Sequence, residues 1–490
     1  MAAGADPDRV VITDTDGTSM TSSELQDAAR AAAAKFQQAG ATQVGFLATN
    51  SRALPVSLFG AAIAGIPFVP LNYRLSDDQL SDQLHREPGM VVVAAPEMVE
   101  RLNRLGIDAV IGVAEVLSSR DAGEPDPVEI DSDDIAVLLY TSGTTATPKA
   151  AVLRHRHLAA YVIGTVEFGG SDPDEAVLVS VPPYHVAGVS TILTNLYGGR
   201  RIVYLDPFEP GTWLDLVKNE GVTHAMVVPT MMSRIIDKVD GPVADVPTLR
   251  SLAYGGAKMP LPVIEQALIQ FPNVAFTNAY GLTETSSTIA LLGPDDHRAA
   301  VASEEPAIRG RLASTGRAVP GVEIAVMDDQ GEPVESGVVG DVLVRGDQVS
   351  GEYVGGAGVD PSGWFATRDR GWLDTDGYLF IEGRSDDVII RGGENIAPAE
   401  IEDVLVRHPS VKECAVVGVP DTEWGQRIGA VVVLSPDADT SVEDLREWCR
   451  AHLRSSKTPD LIEIRDELPY TETGKLLRRV VRSSFEATST

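Results

Sequence analysis

The period of the hydrophobic positions changes several times along this chain. Residues 22–39 are alanine-rich with apolar positions at helical spacing, and residues 44–48 form a short apolar run of strand length. Similar runs at 135–139, 176–180, 202–205 and 225–228 read as strands, separated by stretches long enough for helices. This alternation predicts an α/β fold with a parallel sheet and crossover helices. Thr21 and Glu24 stand at capping-box spacing at the start of the first helix. From 316 to 378 the pattern becomes short strands punctuated by Gly and Asp, which predicts a small β subdomain. The end of the chain predicts a separate α+β unit with helices over 398–407 and 441–453 and strands over 411–419 and 429–434. Pro398 suits a first helical position, where its missing N–H costs nothing. The polar step Asp386-Asp387 divides the chain into a large region, 1–385, and a small domain, 386–490.

Length agrees with more than one domain, since 490 residues exceed the roughly 250–300 that one core supports. The formal net charge of −31 repels nucleic acid and anionic membrane, so neither is an expected partner. Two cysteines, Cys414 and Cys449, provide neither a disulfide framework nor a cysteine zinc site. The longest apolar stretch, 58–71, is broken by Gly60, Gly65, Pro67 and Pro70 and falls short of the roughly 20 residues of a membrane span. The first residues lack the basic and apolar regions of a signal peptide. A cytoplasmic protein without membrane insertion, monomeric or homodimeric, is the expectation.

Candidate chemistry begins at residues 141–149, which hold five Ser/Thr hydroxyls, one Gly and one Lys directly after the apolar run 135–139. Convergent N–H groups and hydroxyls, a Gly where a Cβ blocks approach, and a cation are what a polyphosphate site needs. The carboxyl end of a buried strand is where α/β proteins bind nucleotides. A Walker A loop is excluded, because Ala150 follows Lys149 where that loop requires Ser or Thr.

Four further segments follow in order. They are Asn278-Ala-Tyr-Gly-Leu-Thr-Glu-Thr285, Gly363-Trp-Phe-Ala-Thr-Arg-Asp369, Gly383-Arg-Ser-Asp-Asp387 running into Arg391-Gly-Gly-Glu-Asn395, and Thr471-Glu-Thr-Gly-Lys475. With the phosphate-type loop, these resemble the signatures of adenylate-forming enzymes: acyl-CoA synthetases, peptide-synthetase adenylation domains and luciferases. The resemblance implies two α/β subdomains plus a small β subdomain in the N-terminal region, and a small mobile C-terminal lid.

It also implies roles. Thr141, Ser142, Gly143, Thr144, Thr145 and Lys149 wrap the β- and γ-phosphates of ATP. Glu284, with Thr145, holds Mg²⁺, and Thr283 touches the α-phosphate. Tyr280, beside Gly281, stacks on adenine, while Asn278 and the Gly255-Gly256-Ala257 turn line the base and the acyl carboxylate. Asp369 accepts the ribose hydroxyls, with Arg384 on the same sugar. Lys475 is the catalytic lysine, able to reach the attacking carboxylate and the α-phosphate. Asp386 is the hinge, and Arg391, Gly392 and Gly393 line the passage for coenzyme A. His185 lies at the acyl pocket, with Val186, Val189, Val228, Met231 and Met232 as its apolar neighbours. No Asp in that segment serves an α-ammonium, which argues against an amino acid substrate. The chain departs from the family where usual glycines are Ala146, Ala150 and Arg368.

The expected function is an ATP-dependent, Mg²⁺-requiring acid:CoA ligase acting on a fatty or alicyclic acid, through an acyl-adenylate. An aryl acid of benzoate or cinnamate type is the second choice. A carrier-protein-loading enzyme and a non-catalytic adenylate-binding relative are the alternatives.

Overall fold

The computed structural model describes residues 6–118, 123–141, 149–422, 424–436, 438, 440–470 and 476–488. Two large sheets organise the first part of the chain. The first has the strand order Arg317–Ala318, Ser287–Leu292, Ala275–Leu282, Ser251–Gly255, His224–Val227, Ala176–Val179, Arg201–Tyr204, Val10–Thr13, Ser19–Thr21. Its centre, from Ala275–Leu282 to Val10–Thr13, is parallel throughout, and its edges are antiparallel. The central strands Ala176–Val179 and Arg201–Tyr204 are apolar in their interiors, as expected when helices cover both faces. The second sheet is also parallel at its centre, where Gln43–Leu47 lies between Phe68–Pro70 and Met90–Ala94.

Helix Ser22–Gln38 starts where the capping box places it, with Thr21 Oγ1 accepting from the Glu24 N–H and the Glu24 carboxylate accepting from the Thr21 N–H. Its alanines bury against helix Ala53–Ile63, where a Cβ on Gly60 would lie 3.0 Å from Ala32 Cβ. Small residues at this crossing let the two helices approach closely.

A four-stranded antiparallel sheet follows, in the order Val322–Met327, Gly340–Gly346, Phe365–Leu373, Leu379–Arg384. The small domain contains the hairpin Ile389–Arg391/Glu394–Ile396 and a three-stranded sheet of Val411–Asp421, Gly425–Leu434 and Leu461–Arg465. Helices Pro398–Val406 and Val442–His452 pack on it, with Pro398 in the first turn and Ser441 as a capping residue. Among the described residues no helix is long and apolar enough to cross a membrane.

The hydroxyl-rich segment leaves the end of a buried strand, as expected. The loop after residues 135–141 joins Ile135–Thr141 to Lys149–Arg154, which are antiparallel neighbours. It is a hairpin connection, unlike the strand-to-helix loops in which α/β folds commonly hold phosphate. Ala150 lies in the second strand, buried, and is not among the residues with positive φ, so its methyl is accommodated without backbone strain.

Candidate active site

Four adjacent strands of the first sheet carry candidate residues at their carboxyl ends. Ala176–Val179 leads to His185, and His224–Val227 leads to Val228 and helix Pro229–Lys238. Ser251–Gly255 leads to Gly256 and Ala257, and Ala275–Leu282 carries Asn278, Tyr280 and Gly281 into the 3-10 turn Thr283–Thr285. Open parallel sheets bind ligands outside these ends. The topology thus brings to one edge residues that are scattered in sequence.

Close packing fixes two of the glycines. A Cβ on Gly281 would lie 1.8 Å from the Ser287 carbonyl oxygen, and one on Gly255 2.3 Å from that of Ala279. Gly256 has φ +81°, and a Cβ there would lie 3.5 Å from Val228 Cγ1, so Val228 stands beside this turn. Asn278 donates from Nδ2 to the Ser314 carbonyl at 3.0 Å, which ties the strand to the approach of the β subdomain.

Asp369 is buried, 5% exposed. Tyr280 Oη donates to its Oδ2 at 2.5 Å, and Arg384 Nη1 lies 3.4 Å from Oδ1, across a register pair of Phe365–Leu373 and Leu379–Arg384. Burial, and then the Asp369 charge, push the Tyr280 phenol well above its usual range, so it remains a donor. A bulge aims the carboxylate. Asp341 pairs with Arg370 and Leu343 with Ala366, leaving residues 367–369 against Val342 alone. Thr367 Oγ1 bridges this gap, donating to the Val342 carbonyl at 2.8 Å and accepting from the Asp369 N–H at 3.1 Å. Arg368 takes the left-handed conformation at the centre, φ 63°. That is the conformational reason for a glycine there.

Glu284 is 8% exposed. Tyr353 Oη donates to Glu284 Oε1 at 2.5 Å, and the Ser350 and Gly351 N–H groups both donate to the Glu284 carbonyl at 2.9 Å. Burial and the Glu284 charge raise the Tyr353 phenol. Among the described residues no cluster of three or more His, Cys, Asp or Glu could enclose a metal. A single buried carboxylate fits Mg²⁺ all the same, because that ion is commonly held by one or two carboxylates plus substrate phosphates and water. Thr283 is half-buried in the same turn.

Lys149 is exposed at the start of its strand, with Nζ 5.8 Å from the Tyr353 ring centroid. Thr141 ends the preceding strand. Ser142, Gly143, Thr144, Thr145 and Ala146 lie outside the described residues, and so does Lys475.

His185 occupies the N-cap position of helix Val186–Gly198, its ring 4.7 Å from that of Tyr184, which in turn meets Tyr73 edge-on at 5.3 Å. These tyrosines carry no signal of their own in the sequence. The apolar candidates divide between two cores: Val186 and Val189 pack with the first α/β half, and Val228, Met231 and Met232 with the second. Ser180 Oγ donates to Met231 Sδ at 3.9 Å. Val189 and Met232 have no exposed surface.

In the small domain, Gly392 and Gly393, φ 57° and 85°, form the two-residue turn between Arg391 and Glu394. Positive φ at both positions is what such a hairpin turn demands of Gly. Arg391 donates to Asp460 Oδ1 at 2.7 Å and to the Ser456 carbonyl at 2.9 Å. Asp386 is exposed in the turn Ser385–Asp387. Lys258, just past the Ala257 turn, reaches Asp403 of helix Pro398–Val406 at 2.8 Å and joins the two parts of the molecule. A lone surface lysine gave no hint of this contact.

Comparison with known proteins agrees with these features. Residues 1–354 match the family model for the AMP-binding enzyme, and residues 400–475 match that for the AMP-binding enzyme C-terminal domain. The chain is 34% identical over 478 residues to the feruloyl-CoA synthase of Amycolatopsis sp, covering 96% of this chain and 94% of that protein. It is 32% identical over 490 residues to the fatty acid–[acyl-carrier-protein] ligase ScoC of Streptomyces coeruleorubidus, covering 96% and 92%. The structure of ATP-bound MatB from Rhodopseudomonas palustris superposes with a TM-score of 0.88 at 25% identity, covering 99% of this chain and 97% of that one. The large N-terminal region and small C-terminal domain are common to that fold. The chain belongs to the AMP-binding, adenylate-forming enzyme family.

Proposed function

We propose that this protein is an AMP-forming acid:CoA ligase that uses ATP, Mg²⁺ and coenzyme A. The observation that carries this reading is that one strand, Ala275–Leu282, with the turn after it, carries both Tyr280, which holds Asp369 of the four-stranded sheet beside Arg384, and the buried Glu284. The Asp369 cluster suits a ribose and Glu284 a metal-bound phosphate.

In the first half-reaction an acid's carboxylate oxygen bonds to the α-phosphorus, and the bond to the β-phosphate oxygen breaks, releasing pyrophosphate. Asp369 accepts from the ribose hydroxyls, with Tyr280 and Arg384 fixing the carboxylate. Tyr280 offers one ring face to the base, its other side packing on the apolar core of the β subdomain. Lys149 and the hydroxyls of 141–145 offset the β- and γ-phosphate charge in a protein of net charge −31. Glu284 and Thr145 would hold Mg²⁺, which when bound neutralises charge on the phosphates. Lys475 stabilises charge developing between carboxylate and phosphorus. In the second half-reaction the coenzyme A thiol attacks the acyl carbonyl, and AMP leaves. The small domain turns about Asp386 to present Arg391, Gly392 and Gly393 to the thiol arm.

For the acyl group, Val186, Val228 and Met231 favour an uncharged aliphatic or alicyclic acid. A second reading, an aryl acid, is favoured by the ring series Tyr73–Tyr184–His185 and by the identity to a feruloyl-CoA synthase. A panel of both acid classes with ATP and coenzyme A, read by pyrophosphate release and mass spectrometry of the thioester, tests the proposal. Absence of acid-dependent pyrophosphate release across the panel refutes it. Adenylate without thioester points to a carrier-protein acceptor.

A further inference from the structure

One short segment, residues 348–354, touches all three sheets of the large region. It leaves the four-stranded sheet after Gly340–Gly346, and its strand Glu352–Tyr353 pairs with Lys149–Arg154 at the edge of the second sheet, Tyr353 opposite Ala151. The Val354 N–H donates to the Ala150 carbonyl at 2.9 Å, Ser350 Oγ donates to the Val152 carbonyl, and Arg154 forks onto Glu352 at 2.7 and 2.9 Å. On its other side the segment grips the turn that carries Glu284. Gln348 Nε2 donates to the Thr285 and Thr288 carbonyls at 3.0 and 2.8 Å, and Ser286 Oγ donates back to the Gln348 carbonyl at 2.9 Å. Gln348, Ser350, Thr285 and Ser286 are all buried, so this polar network is satisfied internally and rigid.

Tyr353 is where the two grips meet. Its hydroxyl holds one oxygen of Glu284 at 2.5 Å, and its ring lies 5.8 Å from the Lys149 ammonium. A carboxylate on one sheet and a cation on another are thus referenced to a single side chain. We infer that Tyr353 is a positioning residue: it orients the Glu284 carboxylate and sets its separation from Lys149, so that both face the metal-bearing triphosphate. The inference rests on the nucleotide reading above and adds a residue which that reading does not use. AMP, with neither triphosphate nor required metal, depends on Asp369, Arg384 and Tyr280 but not on Tyr353.

Equilibrium binding of MgATP and of metal-free AMP to wild type, Tyr353→Phe, Glu284→Gln and the double variant tests it. Phenylalanine keeps the ring and removes only the donor to a charged acceptor, so MgATP binding should weaken about tenfold, with AMP binding unchanged. Unchanged AMP affinity also reports that the variant is folded. The double variant should be little worse than Glu284→Gln alone, because the two side chains act through one contact. Equal weakening toward both nucleotides, no weakening toward either, or full additivity in the double variant overturns the inference. A wild type that binds AMP and MgATP with no effect of Mg²⁺ refutes instead the metal reading of Glu284 on which it rests.

Discussion

Replacing Arg368 by glycine should stabilise the protein. With φ at 63°, Arg368 holds a Cβ in the left-handed region, at the centre of the bulge that aims Asp369. That conformation costs a non-glycine residue about 1–2 kcal/mol. Glycine relieves this but loses about 0.4–1 kcal/mol through the greater freedom of its unfolded chain. Taking about 1.5 less about 0.7 leaves a gain of roughly 0.8 kcal/mol for Arg368→Gly. Unfolding entropy is roughly 2 cal/mol/K per residue, so over several hundred residues the gain raises Tm by only about 1 °C. A urea midpoint measured beside Tm makes so small a change readable. Arg368→Ala is the comparator, because it removes the same guanidinium and keeps the Cβ. Any effect of the lost charge on stability or on KM for ATP is then common to both variants, and their difference isolates the backbone. A glycine variant no more stable than the alanine variant refutes the strain argument.

Other expectations concern the site and its pH dependence. Lys475→Ala should slow adenylation by roughly 10²–10³-fold while sparing thioester formation from supplied acyl-adenylate, and adenylation at the wild-type rate removes the assignment. Asp369→Ala should abolish the preference for ATP over 2′-deoxy-ATP, so a preserved preference places the ribose elsewhere. Asp386→Pro, which fixes φ at the hinge, should impair one half-reaction far more than the other in single-turnover assays; equal effects on both exclude a hinge there. His157 is 1% exposed, and burial, reinforced by Arg156 and Arg154, lowers its pKa from 6.5 to about 4. Its folded form is neutral, so below pH 6.5 the unfolded chain takes the proton first, and stability falls as pH drops toward 4. His157→Gln should flatten that part of the urea-midpoint profile between pH 7 and pH 5, and an unaltered slope contradicts the shift.

Elements whose sequence signals are local came out where the pattern puts them. The capping box of Thr21 and Glu24 starts helix Ser22–Gln38, Pro398 lies in the first turn of Pro398–Val406, and the apolar runs at 176, 202 and 225 are parallel strands. Such signals depend on a few neighbouring residues and on periodicity, so one sequence suffices to read them. Tyr280, Glu284, Asp369 and Arg384 were legible as candidates only because ordered motifs carried a family resemblance. What they touch was not legible.

The tertiary structure decided the rest. Adjacency of four strand ends, which gathers His185, Val228, Gly256 and Tyr280 along one edge, follows from strand order, and no local pattern encodes strand order. The phosphate-type loop proved to join antiparallel strands, a matter of pairing partners separated by a turn. Burial of Glu284 depends on Tyr353 and Ser350, which arrive from a distant part of the chain. Arg368 stands out in sequence only as a replacement for the family's usual glycine, and it is the bulge opposite Val342 that gives the position its left-handed φ. The sequence by itself determined which chemistry-bearing side chains exist and which elements carry them. Their convergence into two charged clusters was decided by long-range sheet packing, because distances across sheets depend on every intervening strand and crossover.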